Sequence, residues 1–296
     1  MNSKPIQSMK GKFAYVTLFS QDPYLPGVVA LQRSLKRVDT MYQLIVIITP
    51  TVTSEAISTV QTEGCLVRMV ETFRPEHVEH GQYVRALYAE CWNKLRMWEW
   101  EEYDRLIYLD ADMVVQHNID PLFSLPPAPL YAVGDCYGGR ETQEERDSCC
   151  FFRPEHHPDY FNAGFYVMRP SKEKFADMKT SLAKGTMQSG RFAEQDFLNN
   201  YFKGKWKCLP YIFNAQKRIK AHHSSLWKLE DIFVIHYVDE KPWSHHCSAE
   251  NILYRDIVEL WWEIYETHGV GSNRALSGMA GSIPPLEEVV QSPPQT

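Results

Sequence analysis

Apolar residues along the chain fall into two recurring patterns. Short, mostly apolar runs at 13–18 (FAYVTL) and 44–49 (LIVIIT) have the length of strands, and a further strand is predicted at 66–70 (LVRMV). Between the first two, Val28, Val29, Leu31, Leu35 and Val38 return at roughly the 3.6-residue interval that lines one helix face. That is a strand–helix–strand unit. A second helix is predicted over 54–63, ended by Gly64, and an aromatic-rich helix over about 83–100 precedes a strand at 105–109. Further strands are expected at 130–134, 160–168, 209–213 and 232–237, with helices at 172–183, 193–202 and 250–266. Strands alternating with helices predict an α/β fold with a mainly parallel central sheet flanked by helices, where ligands gather beyond the carboxyl ends of the strands.

Two stretches break the pattern. The polar segment "DCYGGRETQEERDSCCFFRPEHHPD" at 135–159 is too long for an ordinary connection and reads as a lid or acceptor loop. Residues 269–296, rich in Gly, Ser and Pro without periodicity, read as a disordered tail, and 1–12 as a short polar N-terminal tail. No internal repeat is present.

Composition narrows the function classes. Of 296 residues 44% are apolar, enough for a substantial core, and 31 Lys+Arg against 37 Asp+Glu are spread along the chain. A net charge of -6 without a basic cluster excludes a nucleic-acid or anionic-membrane partner and favours a small polar substrate. The start "MNSKPIQSMKGK" lacks the apolar centre of a secretory signal, and the aliphatic run at 44–48 is far too short to span a bilayer, so the expected compartment is the cytoplasm. Seven cysteines, at 65, 91, 136, 149, 150, 208 and 247, show no paired CxxC spacing and are expected to be free, buried thiols.

The strand at 105–109 runs into two carboxylates, Asp110 and Asp112. In an extended chain they point to the same side, and at ~6 Å with an effective dielectric of ~20 they repel by roughly 3 kcal/mol. A divalent cation relieves this: carboxylate oxygens favour Mg²⁺ or Mn²⁺ and leave coordination positions for a nucleotide diphosphate. The structural alternative has Asp112 capping a turn and Asp110 solvated. "DADMV" also fits the DxDx(T/V) pattern of haloacid-dehalogenase-type phosphatases, but those place it on the first strand, whereas here three predicted strands precede it.

The neighbouring segments decide between these readings. "AYVTLFSQDPYLPGVVAL" at 14–31, "NKLRMWEW" at 93–100, "YLDADMVVQHNIDPLF" at 108–123, "YFNAGFYVMRP" at 160–170, "FAEQDFLNNYF" at 192–202, "VIHYVDEKPW" at 234–243 and "RDIVELWWEIYE" at 255–266 occur in that order. Over about residues 12–266 the chain resembles the retaining glycosyltransferases of family 8, the glycogenin and galactinol synthase family. The likeness implies a GT-A type, Rossmann-like single domain over 13–268. It is greater to galactinol synthase than to glycogenin in "NKLRMWEW", "FAEQDFLNNYF", the insertion after "AVGDC" and the terminal "WWEIYE". It implies transfer of galactose from UDP-galactose to myo-inositol, with Mn²⁺ or alternatively Mg²⁺. Glycogenin-like self-glucosylation, at Tyr211 or another tyrosine, and a non-catalytic nucleotide-sugar sensor stand as alternatives, and a homodimer stays open.

By the family pattern Asp110, Asp112 and His236 hold the metal, although His236 alone reads equally as a core histidine. Leu18, Ser20, Gln21 and Tyr24 hold uridine, and Ala111 contacts the nucleotide. Lys94, which without the resemblance reads as an exposed salt-bridge lysine, lies beside the donor phosphate and sugar. Asn162, Ala163 and Gly164 line the sugar pocket, and Glu194 and Gln195 face the donor sugar, with Asp196 pointing elsewhere. With a single well-placed carboxylate, a front-face reaction is favoured over the paired-carboxylate route of retaining glycosidases. Lys241 contacts the phosphates, and Trp243 packs its loop. Here the chain departs from the family: the usual Gly between His236 and Lys241 is absent, and Asp239 and Glu240 stand in the loop. That acidic pair weakens diphosphate binding unless it points away or meets a cation. The aromatic runs in "ECWNKLRMWEW" and "VELWWEIYE" have helical spacing and are expected in the core.

Overall fold

The computed structural model describes residues 11–75, 83, 85, 87–136, 159–185, 192–244 and 249–267. Residues 1–10 of the tail expected over 1–12, the tail expected over 269–296, and most of the long insertion lie outside the described residues.

The apolar runs form strands: β1 (Phe13–Phe19), β2 (Leu44–Ile48), β3 (Leu66–Met69) and β4 (Arg105–Leu109) are joined by parallel pairing. β2 and most of β1 and β4 are buried because both sheet faces are covered, whereas β3, at the sheet edge, is half-exposed. α1 (Leu25–Arg37) and α2 (Ser54–Thr62) are the connecting helices. The Thr53 side chain caps α2 by accepting from Ala56 N at 3.3 Å, and Gly64, at φ +88, turns the chain out of it. Beyond β5 (Met113–Val115) come β6 (Tyr131–Gly134), β7 (Phe161–Met168) and β8 (Lys207–Leu209). The main sheet has seven strands in the order β3-β2-β1-β4-β7-β6-β8, and only β7 runs against the rest. The sheet is therefore mainly parallel, as its alternating pattern requires.

A second sheet, β5-β10-β9, is built from β9 (Ala215–Gln216) and β10 (Val234–His236). Of its strands only β10 falls within an expected one, that at 232–237; β5 and β9 were not foreseen, because strands of two or three residues carry no readable period. Three expectations change. The helix at 83–100 is one α turn, α3 (Tyr88–Cys91), followed by a 3₁₀ stretch, Trp92–Glu99, in which Trp92, Asn93, Lys94, Leu95, Met97 and Trp98 are all buried. Burial all round, rather than on one stripe, lets tertiary packing override helical periodicity. The strand at 209–213 stops at Pro210, which has no N–H to donate, and continues as a 3₁₀ turn, Tyr211–Phe213. The terminal helix is split into a 3₁₀ segment, Ala249–Tyr254, and a true α-helix over Arg255–Glu266.

α4 (Lys172–Ala183) and α5 (Glu194–Tyr201) pack with the Trp92–Glu99 stretch on one face of the main sheet, while α1 and α2 cover the other. After β9 comes a short helix not read from the sequence, α6 (Lys217–His222), and Arg255–Glu266 forms α7, which packs on the small sheet through Ile257, Trp261 and Ile264. Trp92, Trp98 and Trp261 are fully buried, so the aromatic runs are core, as their spacing predicts. Cys65, Cys136 and Cys208 are buried and Cys91 half-buried, all as free thiols, while positions 149, 150 and 247 lie outside the described residues.

Candidate active site

The site grows from the end of β4. Asp110, Ala111 and Asp112 form a turn between β4 and β5, closed by Met113 N donating to Asp110 O at 3.2 Å. The aspartates are thus brought together by a turn and not by the two-residue strand period. His236 joins them through the small sheet: β10 pairs antiparallel with β5 in a register that sets His236 opposite Met113, and Tyr237 N donates to Asp112 O at 2.9 Å. The ligand atoms of Asp110, Asp112 and His236 lie within 4.8 Å of one another.

A chain of amides fixes which atom of His236 faces the carboxylates. Gly164 N donates to Asn162 Oδ1 at 3.0 Å, the Asn214 amide nitrogen donates to the same oxygen at 3.0 Å, and Asn214 Oδ1 therefore faces His236 Nδ1 at 2.9 Å. Nδ1 carries the proton. Nε2 then turns its lone pair on Asp112 Oδ1 at 3.2 Å and Asp110 Oδ2 at 3.9 Å. An imidazole lone pair confronting two carboxylates is the donor set of a divalent cation, with Asn214 as the outer partner that orients the ring. Gly164 makes the approach possible: a Cβ there would lie 2.5 Å from His236 Cε1 and 2.9 Å from Asp110 Oδ2.

Cations from two directions balance the carboxylates. Lys241 Nζ donates to Asp112 Oδ2 and, at 3.0 Å, to Tyr237 O. Burial pushes the Asp112 carboxyl up, but the Lys241 ammonium beside it pulls the other way, and the carboxyl lies well below the usual carboxylate range. Lys94, buried rather than exposed, reaches Asp110 Oδ1 at 2.9 Å and Glu194 Oε1 at 2.8 Å. Burial alone would lower the Lys94 pKa; Asp110 and Glu194 beside it hold it well above its ordinary value. Burial pushes the Glu194 carboxyl up, with Lys94 opposing. Tyr108 Oη also donates to Asp110, at 2.7 Å.

A cleft of about 1050 Å³, including its open mouth, collects these groups. Leu18, Ser20, Tyr24, Lys94, Asp110, Ala111, Asp112, Asn162, Ala163, Gly164, Glu194, Gln195, His236 and Lys241 all line it. Gln21 does not: it is exposed, and it precedes a tight turn, Asp22–Tyr24, in which Tyr24 N donates to Gln21 O. Asp196 points elsewhere, as expected, accepting from Tyr160 Oη and from Phe192 N at 2.9 Å. Tyr211, the tyrosine considered for self-glucosylation, is not among the lining residues, and its hydroxyl donates to Leu226 O. Trp243 packs edge-on against Tyr24 and tilted on Trp261, pinning the Lys241 loop to α1 and α7.

In that loop the Asp239 carboxylate meets cations, whereas Glu240 is reached through its backbone carbonyl. Asp239 lies between Arg85 Nη2, at 3.3 Å, and Arg218 Nη2, at 3.6 Å, and Lys217 Nζ donates to the Glu240 carbonyl at 2.7 Å. Asp135 is a further cleft carboxylate that the sequence reading did not single out. Its oxygens accept from Asn162 Nδ2 at 3.4 Å and Gln195 Nε2 at 3.0 Å. Asn214, Arg85, Arg218 and Tyr108 were likewise not foreseen. Their side chains become partners of the site only through long-range contacts, and no local pattern marks them.

An α/β sheet with this cleft at its strand ends, flanked by a small sheet that delivers a histidine to a DxD turn, is the architecture of GT-A glycosyltransferases, and the chain is an enzyme of that class using a UDP-sugar donor. Its sequence matches the glycosyl transferase family 8 pattern over residues 15–247, and it belongs to that family. It is 37% identical over 269 residues to galactinol synthase 1 of Solanum lycopersicum, covering 86% of this chain and 82% of that one. To galactinol synthase 1 of Arabidopsis thaliana it is 36% identical over 273 residues, covering 86% and 78%. Among solved structures it superposes on the galactosyltransferase LgtC in complex with donor and acceptor sugar analogs with a TM-score of 0.58 at 20% identity, covering 85% of this chain and 95% of that chain. The glycosyltransferase GlyE of Streptococcus pneumoniae matches with a TM-score of 0.57 at 19% identity, covering 87% and 62%. Among the described residues no helix is long and apolar enough to cross a membrane.

Proposed function

We propose that the protein is a retaining, Mn²⁺-dependent hexosyltransferase that moves galactose from UDP-galactose to myo-inositol. The observation that carries the metal dependence is the His236 Nε2 lone pair, fixed by Asn214, against the carboxylates of Asp110 and Asp112. Two oxygens and one imidazole nitrogen suit Mn²⁺ better than Ca²⁺. When bound, the ion supplies positive charge to the departing diphosphate. The kinship with galactinol synthases supports the choice of donor and acceptor.

The chain's own residues then have distinct tasks. Lys241 supplies an ammonium beside Asp112 for the phosphates, and the Asn162–Gly164 backbone and amides offer hydrogen bonds to sugar hydroxyls. Glu194 faces the cleft with one oxygen taken by Lys94, which lowers its nucleophilicity, and both oxygens of Asp135 are held by amides. Neither is poised as a free attacking carboxylate. This favours front-face transfer: the anomeric C–O bond to UDP breaks, a bond to the acceptor hydroxyl forms on the same face, and the hydroxyl proton passes to the leaving phosphate.

The test is a donor-by-acceptor screen of UDP release, with EDTA and Asp112→Ala as blanks. UDP-galactose turnover is expected only with Mn²⁺ and myo-inositol together. Activity retained in Asp112→Ala overturns the metal assignment, hexose added to the intact protein mass points to self-glucosylation, and UDP-sugar binding without any turnover leaves a sensor.

A further inference from the structure

Beyond the residues assigned to the donor, the cleft is also lined by Asp135, Arg218, Val238, Asp239 and Arg85. A run of contacts leads outward from the sugar wall: Asn162 and Gln195 donate to Asp135, Asp135 lies beside Arg218, and Arg218 meets Asp239. An acceptor that enters the same cleft can meet these residues.

Arg218 is anchored but has hydrogen-bonding capacity to spare. Its Nη1 donates to Cys136 O at 3.0 Å, while its buried Nε has no hydrogen-bond partner among the described residues. Asp239 holds its carboxylate half in water, and its contacts to Arg218 and Arg85, at 3.6 and 3.3 Å, are at the long end for ion pairs. Its backbone adopts φ +66, a left-handed conformation that glycine enters without penalty. A carboxylate kept where the backbone favours glycine points to use of the side chain.

We propose that Arg218 and Asp239 form the pair that reads the acceptor, gripping neighbouring hydroxyls of the neutral polyol already proposed as the substrate. This rests on the transferase reading above. The chemistry fits that acceptor. A planar guanidinium offers donors and a carboxylate offers acceptors, and adjacent hydroxyls satisfy both at once. The wall is charge-balanced, Arg85 and Arg218 against Asp135 and Asp239. An anionic acceptor meets two carboxylates there and a cationic one meets two guanidinium groups, whereas a neutral polyol replaces long contacts by shorter hydrogen bonds without separating charge.

The test compares Asp239→Asn, Asp239→Gly and Arg218→Lys with wild type, using myo-inositol and a panel of neutral cyclitols, simple sugars and carboxylate- or phosphate-bearing polyols. Each variant is expected to raise KM for the neutral acceptor about tenfold or more, the loss of a charge-assisted hydrogen bond. The Kd for UDP in Mn²⁺ is expected to stay within about twofold. Asp239→Gly, which relieves the backbone, is expected to melt no lower than wild type, separating lost recognition from lost folding. Acceptor KM unchanged in all variants, UDP affinity falling in step with acceptor affinity, or a wild type preferring charged acceptors overturns the assignment. A wild type that binds no UDP in Mn²⁺ sinks the transferase reading and this with it; turnover in wild type with unaffected variants sinks the acceptor assignment alone.

Discussion

Replacing Lys94 by methionine isolates the electrostatics of the site. The Lys94 and Glu194 side chains are each 4% exposed and their charged atoms are 2.8 Å apart, whereas Asp110 is 28% exposed and keeps the Tyr108 hydroxyl. Lys94→Met preserves the stem's volume but strands Glu194 in a dry environment, and breaking a buried pair this way costs about 3–5 kcal/mol. At ~2–4 °C per kcal/mol for a domain of this size, the melting temperature should fall by roughly 6–20 °C. Glu194→Gln should cost less, because Lys94 retains Asp110. The double variant Lys94→Met/Glu194→Gln should regain much of the loss, giving a coupling of about 2–3 kcal/mol, while transferase activity stays absent. The deficit of Lys94→Met should also depend on pH. Burial already pushes the Glu194 carboxyl up, and without the opposing ammonium it rises further. A folded pKa above the unfolded one means that the folded state binds more protons between the two values, so stability rises as pH falls, and the deficit should shrink towards about pH 4–5. Urea unfolding of the four proteins at several pH values measures this directly. Additivity within ~0.5 kcal/mol, or a deficit independent of pH, would refute the buried pair.

Two further outcomes follow from the same geometry. Gly164→Ala forces a methyl group against His236, Asn162 and Asp110, so the metal ligands must spread; Mn²⁺-dependent UDP binding by titration calorimetry should weaken about 10–100-fold, and an unchanged Kd would contradict the close approach. Burial pushes the Cys65 and Cys208 thiols to about 12, so peptide mapping after iodoacetamide at pH 8 should find both unmodified until the protein is unfolded. Because the unfolded thiols release their protons near pH ~8.5, these two also withdraw stability progressively as pH rises from there towards 12, a slope absent in Cys65→Ala/Cys208→Ala.

Much of the architecture was legible because it is written in neighbours along the chain. The run at 44–48, apolar and without interruption, could only be a strand buried on both faces, and it is β2. Ser171 before the periodic stretch at 172–183 caps α4 by accepting from Lys174 N. The helix expected at 83–100 failed for the opposite reason: Trp92, Lys94 and Trp98 are buried by partners far away in sequence, which dictate a 3₁₀ path that propensity does not favour.

The chemical residues divide along the same line. From its sequence alone this protein declared a parallel-sheet fold, a pair of aspartates at a strand end and a family pattern that named His236, Lys94 and Glu194. Whether those groups meet was decided by tertiary structure. The turn after β4, not a strand period, aims Asp110 and Asp112, and the register of β10 on β5 brings His236 to them. The amides of Asn162 and Asn214 choose which imidazole nitrogen faces the carboxylates. Arg218 and Asp239 acquire a shared role only when α6 and the loop after β10 close on one wall. Periodicity reports the local balance of burial and solvation, while the approach of charges distant in sequence depends on sheet register and packing, to which no short window of residues has access.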